Sequence, residues 1–246
     1  NLLALYDGST KWTVYPFTEI SLALGTLTNA LPYDVFVYDN GGTPTLEFTA
    51  WTSATARTTD LVLQNGIWSK TGVLTRRYLG TFYTTATTTT EDSFASRYLW
   101  NYYNQTRRIM RVFETTDTWT YSTDAWRQSN GSTANQLNYV VGVAGAAIYV
   151  STYGLARHSD ALAVAMSVGI GDDSTTVHSG LAGRQSMLVA GANVGNPGIF
   201  TGFPAIGRHF AAWLERGAGG AGVTTWVGDE SDGTYNQTGI VGWIEG

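Results

Sequence analysis

Tyr33-Asp-Val-Phe-Val-Tyr-Asp-Asn-Gly-Gly-Thr-Pro-Thr-Leu-Glu-Phe-Thr-Ala-Trp51 decides the fold class of this 246-residue chain. Val35 and Val37 fall on one face, and Asp34, Phe36 and Tyr38 on the other. Past the turn, Leu46, Phe48 and Ala50 share a face, opposed by Thr45, Glu47 and Thr49. Strand side chains alternate between two faces, so this spacing predicts two strands of a half-buried sheet and argues against a helix. Asp39-Asn40-Gly41-Gly42 supplies residues that tolerate positive φ, as a tight hairpin turn requires.

The same pattern recurs on both sides of this hairpin. Toward the N-terminus it predicts strands at 11–15 and 19–24, the second with Ile20, Leu22 and Leu24 inward. Residues 61–68 read as a hairpin around Asn65-Gly66, and 77–84 as a further strand. The threonine-rich run 84–90 suits either an extended linker or an exposed strand. Thr90-Glu91-Asp92 has the chemistry to cap a short helix running into Phe94 and Arg97. Strands are then predicted at 98–103, 110–114, 118–122, 136–143, 147–153, 161–171, 186–194, 209–215, 223–228 and 240–244. Turns fall at Asn130-Gly131, Gly171-Asp-Asp, Asn196-Pro-Gly198, 217–222 and Asp232-Gly233. Strands between Gly/Asn/Asp turns, with no long helical pattern, predict an all-β, antiparallel, jelly-roll-like sandwich. Two modules are expected: an N-terminal β domain at 1–95 and a C-terminal sandwich at 96–246. No repeat of propeller or solenoid length is present.

Composition narrows the function. Charged residues are 13% of the chain, about half the usual share. Solubility rests instead on 36 threonines, which suit a pleated surface. A net charge of −5 argues against nucleic-acid binding. The one basic cluster, Arg107, Arg108 and Arg111, reads as a solvated strand or an intersubunit ion-pair site. With no cysteine, disulfides, thiol nucleophiles and Cys-based zinc sites are excluded. No apolar run approaches the about 18 residues of a membrane span, so no membrane insertion is expected. No signal peptide is visible, and with no initiating Met the targeting question stays open.

His158-Ser159-Asp160 contains the letters of a triad, but neighbouring strand side chains diverge. The three histidines, His158, His178 and His209, are far apart in sequence. Asp172-Asp173 and Asp229-Glu230-Ser231-Asp232-Gly233 are acidic turns whose spacing differs from an EF-hand. Glu19, Glu47, Glu114, Glu215 and Glu245 all fall on predicted strands, and a glycoside hydrolase needs two facing carboxylates. Nothing in the spacing selects a pair. Trp126 and Tyr235 are the loop-proximal aromatics that suit sugar stacking. Asn104, Asn130 and Asn236 head Asn-x-Ser/Thr triplets. The expectation is no catalytic, cofactor or metal site, and no enzyme.

A resemblance adds to this reading. Tyr33–Asn40, Thr45–Thr52, Arg76–Thr81, Glu91-Asp-Ser and Arg97–Asn104 resemble a segment of tailed-bacteriophage virion proteins of the tail-fibre type. Trp119–Asn130, Gly207–Glu215 and Thr224–Asp229 are similar to the continuation of the same proteins. The resemblance implies an all-β module on the virion exterior: a head fibre, capsid decoration or tail fibre. It further implies a homotrimer in contact with other virion proteins. It transfers no catalytic set. The alternatives are a carbohydrate-binding module that attaches to a host-surface glycan and, further off, a glycan-degrading enzyme.

Overall fold

The computed structural model describes residues 1–160 and 165–246. β1 (Leu2–Tyr6) and β2 (Trp12–Pro16) form a separate hairpin. β3 (Pro32–Asn40) and β4 (Thr43–Ala50) are the hairpin of the opening stretch, closed by Gly41 and Gly42 at φ of 62° and 96°. Two adjacent positive φ values are what a two-residue turn between twisted strands demands, and glycine meets them without steric cost. β5 (Leu61–Gln64) and β6 (Ile67–Lys70) pair across Asn65-Gly66, and β7 (Val73–Ala86) carries the sheet in the order β4-β3-β7-β6-β5. β8 (Thr89–Thr90) folds back on β7, so the threonine run is strand and turn. β9 (Ser96–Arg97) pairs away from this sheet, whereas β10 (Leu99–Asn101) returns to β7.

The remaining strands build a sandwich. They are β11 (Arg107–Phe113), β12 (Thr118–Thr120), β13 (Trp126–Gln128), β14 (Gln136–Val141), β15 (Ile148–His158) and β16 (Ala165–Asp172). β17 (Leu181–Ser186), β18 (Val194–Gly202), β19 (Gly207–Arg216), β20 (Thr224–Val227) and β21 (Gly239–Glu245) follow. One layer runs β9-β14-β19-β16, with β13 beside β19; the other runs β11-β21-β15-β18, with β20 and β12 off β15. β17 joins the layers, pairing with β16 through Gly183–Ser186 and with β18 through Leu181 and Ala182. A strand that switches sheets is a usual way to make a sandwich corner. The molecule is thus all-β and essentially antiparallel, with a jelly-roll-like sandwich, as the alternation predicted.

The main core lies between the two layers. Met110, Leu137, Tyr139, Val150, Val168, Trp213 and Trp226 are fully buried in it, contributed by facing strands of both layers. A second cluster joins the N-terminal sheet to the outer side of β14, where Phe36, Tyr78, Tyr98 and Trp100 pack on Val140. β14 therefore sends Leu137, Tyr139 and Val141 into the sandwich and Val140 outward to the N-terminal sheet. The opening hairpin turns its Asp34/Phe36 face to this junction, and Asp34 is 2% exposed. Arg57 donates to its carboxylate from Nε at 2.7 Å and Nη2 at 3.3 Å, and Thr81 Oγ1 donates at 2.7 Å. Arg57 also donates to the Gly142 carbonyl and lies 4.6 Å from the Trp51 ring centroid. One charged pair thus couples the hairpin to the sandwich.

Three local expectations are corrected. Residues 19–24 form no strand, and Leu22 is 43% exposed. Alternation offers a face, but a strand also needs a neighbour's backbone. The flanking segment is held instead by single bonds from Phe17 to Asn1, Leu27 to Thr87 and Ala30 to Thr84. No helix follows Thr90: Asp92 bridges to Arg97, and Ser93 Oγ accepts the Ser96 N–H at 3.1 Å. Short polar side chains that bond nearby backbone compete with helix in this way. Finally, 186–194 is mostly a connection with Leu188 83% exposed, and the strand runs through Asn196-Pro197-Gly198, which reads as a turn. Pro197 is tolerated because β17 pairing stops at Gly198, leaving it at an edge position. Of the strand expected at 161–171, residues 161–164 lie outside the described residues.

Candidate functional site

The outward face of the β11-β21-β15-β18-β17 layer is the candidate site, and strand register builds it. Ile109 faces Trp243, which faces Tyr149. One row on, Arg111, Val241, Ser151, Ile199 and Leu181 lie abreast. In the next row Phe113, Gly239, Tyr153 and Pro197 do. The alternate positions, Met110, Ile240, Val150 and Ile244, point into the core. On the outer side Ile109 is 54% exposed, Val241 41%, Tyr153 46% and Leu181 73%. Scattered apolar side chains on a surface mean little, whereas these adjoin on one sheet face and form a continuous patch.

Its size follows from sheet geometry. Four inter-strand gaps of about 4.8 Å span about 19 Å, and Ile109 to Phe113 rises about 14 Å, a projected area of about 270 Å². A standard interface takes about 800 Å² per partner, so the patch is the size of an interface centre and needs a polar rim. The basic cluster supplies part of one. Arg107 lies 4.4 Å from the Trp243 ring centroid, and Arg111 lies 4.3 Å from Phe94 and 5.7 Å from Phe113. Arg108 turns away, binding the Asp92 carboxylate and the Leu99 carbonyl. At one corner, Tyr149 and Trp243 stack with centroids 6.3 Å apart and planes at 19°. With Phe203, 76% exposed, they line a cleft of about 340 Å³.

The reactive residue types are placed elsewhere, mostly as structural groups. His158 is 1% exposed, and its Nδ1 accepts the Asp160 N–H at 3.1 Å, which puts the ring proton on Nε2. Ser159 Oγ donates to Asp160 Oδ1 and accepts from the Val223 N–H, so serine and histidine are not joined. Two other sequence candidates do converge. His209 Nδ1 meets Asp173 Oδ2 at 2.7 Å, and its Nε2 meets the Ala205 carbonyl at 3.0 Å. Both ring nitrogens face acceptors, which favours imidazolium. Burial pulls the His209 pKa down, but the bonds to Asp173 and Ala205 outweigh it and the net shift is upward. Burial also works to raise Asp173, and the His209 and Phe210 N–H bonds bring it below its usual range. Asp172 is raised by burial and by the neighbouring Asp173 charge. His178 stands apart, against Trp126 at 5.2 Å.

Glu114 and Glu215 come to one end of the sandwich, linked through Ser129 and Asn135. Glu215 is fully buried and accepts from Arg127 Nε at 2.7 Å, Trp119 Nε1 at 2.8 Å and Ser129 Oγ at 3.4 Å. Burial pushes it up to about 7, against the pull of Arg127. Glu114 accepts from Asn135 at 2.6 Å and Asn130 at 3.2 Å, and those bonds outweigh burial to lower its pKa. The opposed shifts resemble an acid/base pair. However, among the described residues neither carboxylate lines the five best-formed clefts. Glu47 pairs with Lys70 and Arg76, Glu245 accepts the Ala147 N–H, and Glu19 is exposed.

In the acidic turn, Asp229 accepts the Ser231 N–H, Asp232 accepts from Thr234, and Glu230 pairs with Arg157 at 2.8 Å. Among the described residues no three His, Asp or Glu side chains converge where an ion would sit. Tyr235 is 91% exposed, and Asn104 is exposed. Asn130 is tied to Glu114 and Thr116, and among the described residues the buried Asn236 amide nitrogen has no partner. Sequence reasoning missed Arg57, a lone charge in a polar loop. It also missed Asp124, Arg184 and Arg216, whose meeting depends on strand pairing.

No family model matches the chain, and no curated protein matches it. Among solved structures, Eiger TNF from S. frugiperda superposes with a TM-score of 0.34 and 12% identity, over 57% of this chain and 92% of that one.

Proposed function

We propose that the chain is a structural module on the exterior of a phage virion, a head fibre, capsid decoration or tail fibre, and that it works as a homotrimer. The observation that carries the self-assembly is the apolar outer face of β11, β21, β15, β18 and β17. Among the described residues Arg111 is the one charged side chain in its three central rows, and it is stacked on Phe94 and Phe113. A face of this kind offers no ion-pair code for a charged partner and suits burial against a copy of itself. The virion assignment is supported by the residue patterns of the opening hairpin and of Gly207–Glu215. Immunogold labelling of intact particles of the phage that encodes the chain tests it. Regular decoration of heads or tails is expected, and unlabelled particles refute it.

One observation favours a second reading, attachment to a host glycan. The stacked Tyr149–Trp243 pair beside exposed Phe203 is the form of a sugar-stacking platform. The two readings compete for Trp243, because a subunit seated on the face covers the cleft. Quenching or enhancement of Trp fluorescence by host polysaccharide, lost in Trp243→Ala, supports attachment; an unchanged spectrum removes it.

A further inference from the structure

On the other layer, strand register sets two guanidinium groups astride one hydroxyl. Ser167 of β16 lies directly opposite Arg216 of β19 on one side and Arg184 of β17 on the other. Cross-strand partners share a face, so Arg216, Ser167 and Arg184 stand abreast, and Trp126 extends the row beyond Arg216. This is the outward face, since Met166 and Val168 point into the core. The strands are about 4.8 Å apart, which separates the two arginine backbones by about 10 Å and lets their long side chains reach one another's ground. Together with Asp124, Ala165 and Ala218 the row lines a cleft of about 170 Å³.

The cleft is polar and carries excess positive charge. Arg216 Nε donates to Asp124 Oδ1 at 2.7 Å, which occupies one guanidinium edge. Among the described residues Arg184 makes no ion pair. Ser167 is 6% exposed and lines the cleft between the two arginines. Two arginines and one aspartate leave one net positive charge, with the Arg184 fork outside any ion pair among the described residues. A guanidinium fork matches a planar or tetrahedral oxyanion bidentately.

We propose that this cleft binds an oxyanion, the carboxylate, sulfate or phosphate group of an acidic ligand, with Arg184 as the principal donor and Arg216 and Ser167 beside it. The proposal stands whether or not the chain is a virion module. It is tested by titrating the full chain with inorganic phosphate and, separately, with an oligomer of a hexuronic acid. Binding is followed by calorimetry and by the Arg Nε NMR signals. Saturable binding that shifts the Arg184 and Arg216 signals is expected. Arg184→Gln should weaken it by about tenfold or more, the loss expected for one charge-assisted hydrogen bond. Lys11→Gln removes the same charge from the exposed β1–β2 turn and should leave it unchanged. Tighter binding of the hexuronate assigns the group to a saccharide, and equal binding assigns it to a simple anion. No saturation with either probe, or equal weakening by both substitutions, overturns the proposal.

Discussion

Replacing Asp34 should cost far more than its place in a threonine-rich hairpin suggests. Its side chain is 2% exposed and that of Arg57 6%, so neither charge can recruit water when the other is removed. Asp34→Leu deletes three accepted bonds, two from Arg57 and one from Thr81, and leaves the guanidinium against Trp51 and Tyr78 without a counter-charge. Breaking a buried pair from one side costs about 3–5 kcal/mol. In a chain of this size that lowers the melting temperature by about 10 °C. Arg57→Met should cost a similar amount by stranding Asp34. The double variant puts apolar volume at both positions and should be less destabilised than the sum of the two, by about 2 kcal/mol or more. Urea unfolding, followed in parallel by tryptophan fluorescence and far-UV circular dichroism, reads all three. Single variants within about 1 kcal/mol of the parent, or a strictly additive double, would refute the reasoning.

The other predictions concern titration and close packing. Glu215 has its pKa raised from 4.5 to about 7 by burial, so the folded state holds its proton longer than the unfolded chain. Stability should therefore fall as pH rises from about 4.5 through about 7, by about 3 kcal/mol, and Glu215→Gln should flatten that limb of a stability–pH profile. His209 is raised and Asp173 lowered, so their pair stabilises fully between the ordinary carboxylate and imidazole values. That stability fades as pH rises through the shifted His209 value, and again as it falls through that of Asp173. His209→Gln should lose its deficit against the parent at both extremes in melting scans. Gly142→Ala places a β-carbon onto the Tyr78 hydroxyl, the Trp100 ring and the Thr81 hydroxyl. Overpacking there should cost about 1–3 kcal/mol in a denaturant titration.

The β class was legible because its signal is local: alternation at 33–51 and paired turn residues at 41–42 and 65–66 are written within a few positions. What each face meets was not legible. Alternation places Asp34 on a face without saying what that face meets, and it is buried because Arg57, 23 residues on, reaches its carboxylate. Residues 19–24 alternate well but find no partner strand, and 196–198 carries turn residues inside a strand that β15 holds in register. The apolar outer sheet face was partly legible. Phe113, Val241 and Tyr153 each sit on a readable strand, but their alignment depends on pairing β11 with β21, across more than a hundred residues. Arg184, Ser167 and Arg216 come together for the same non-local reason.

The outer sheet face is proposed to pack between copies of this chain. Sedimentation equilibrium of the intact chain at micromolar concentration, with Val241→Glu alongside, tests it directly. The parent should run at three times the 26.6 kDa chain mass, about 80 kDa. The variant, with a buried carboxylate lacking a partner at the centre of the face, should run as a folded monomer with an unchanged circular dichroism spectrum. A monomeric parent, or an assembly indifferent to Val241→Glu, would contradict the account.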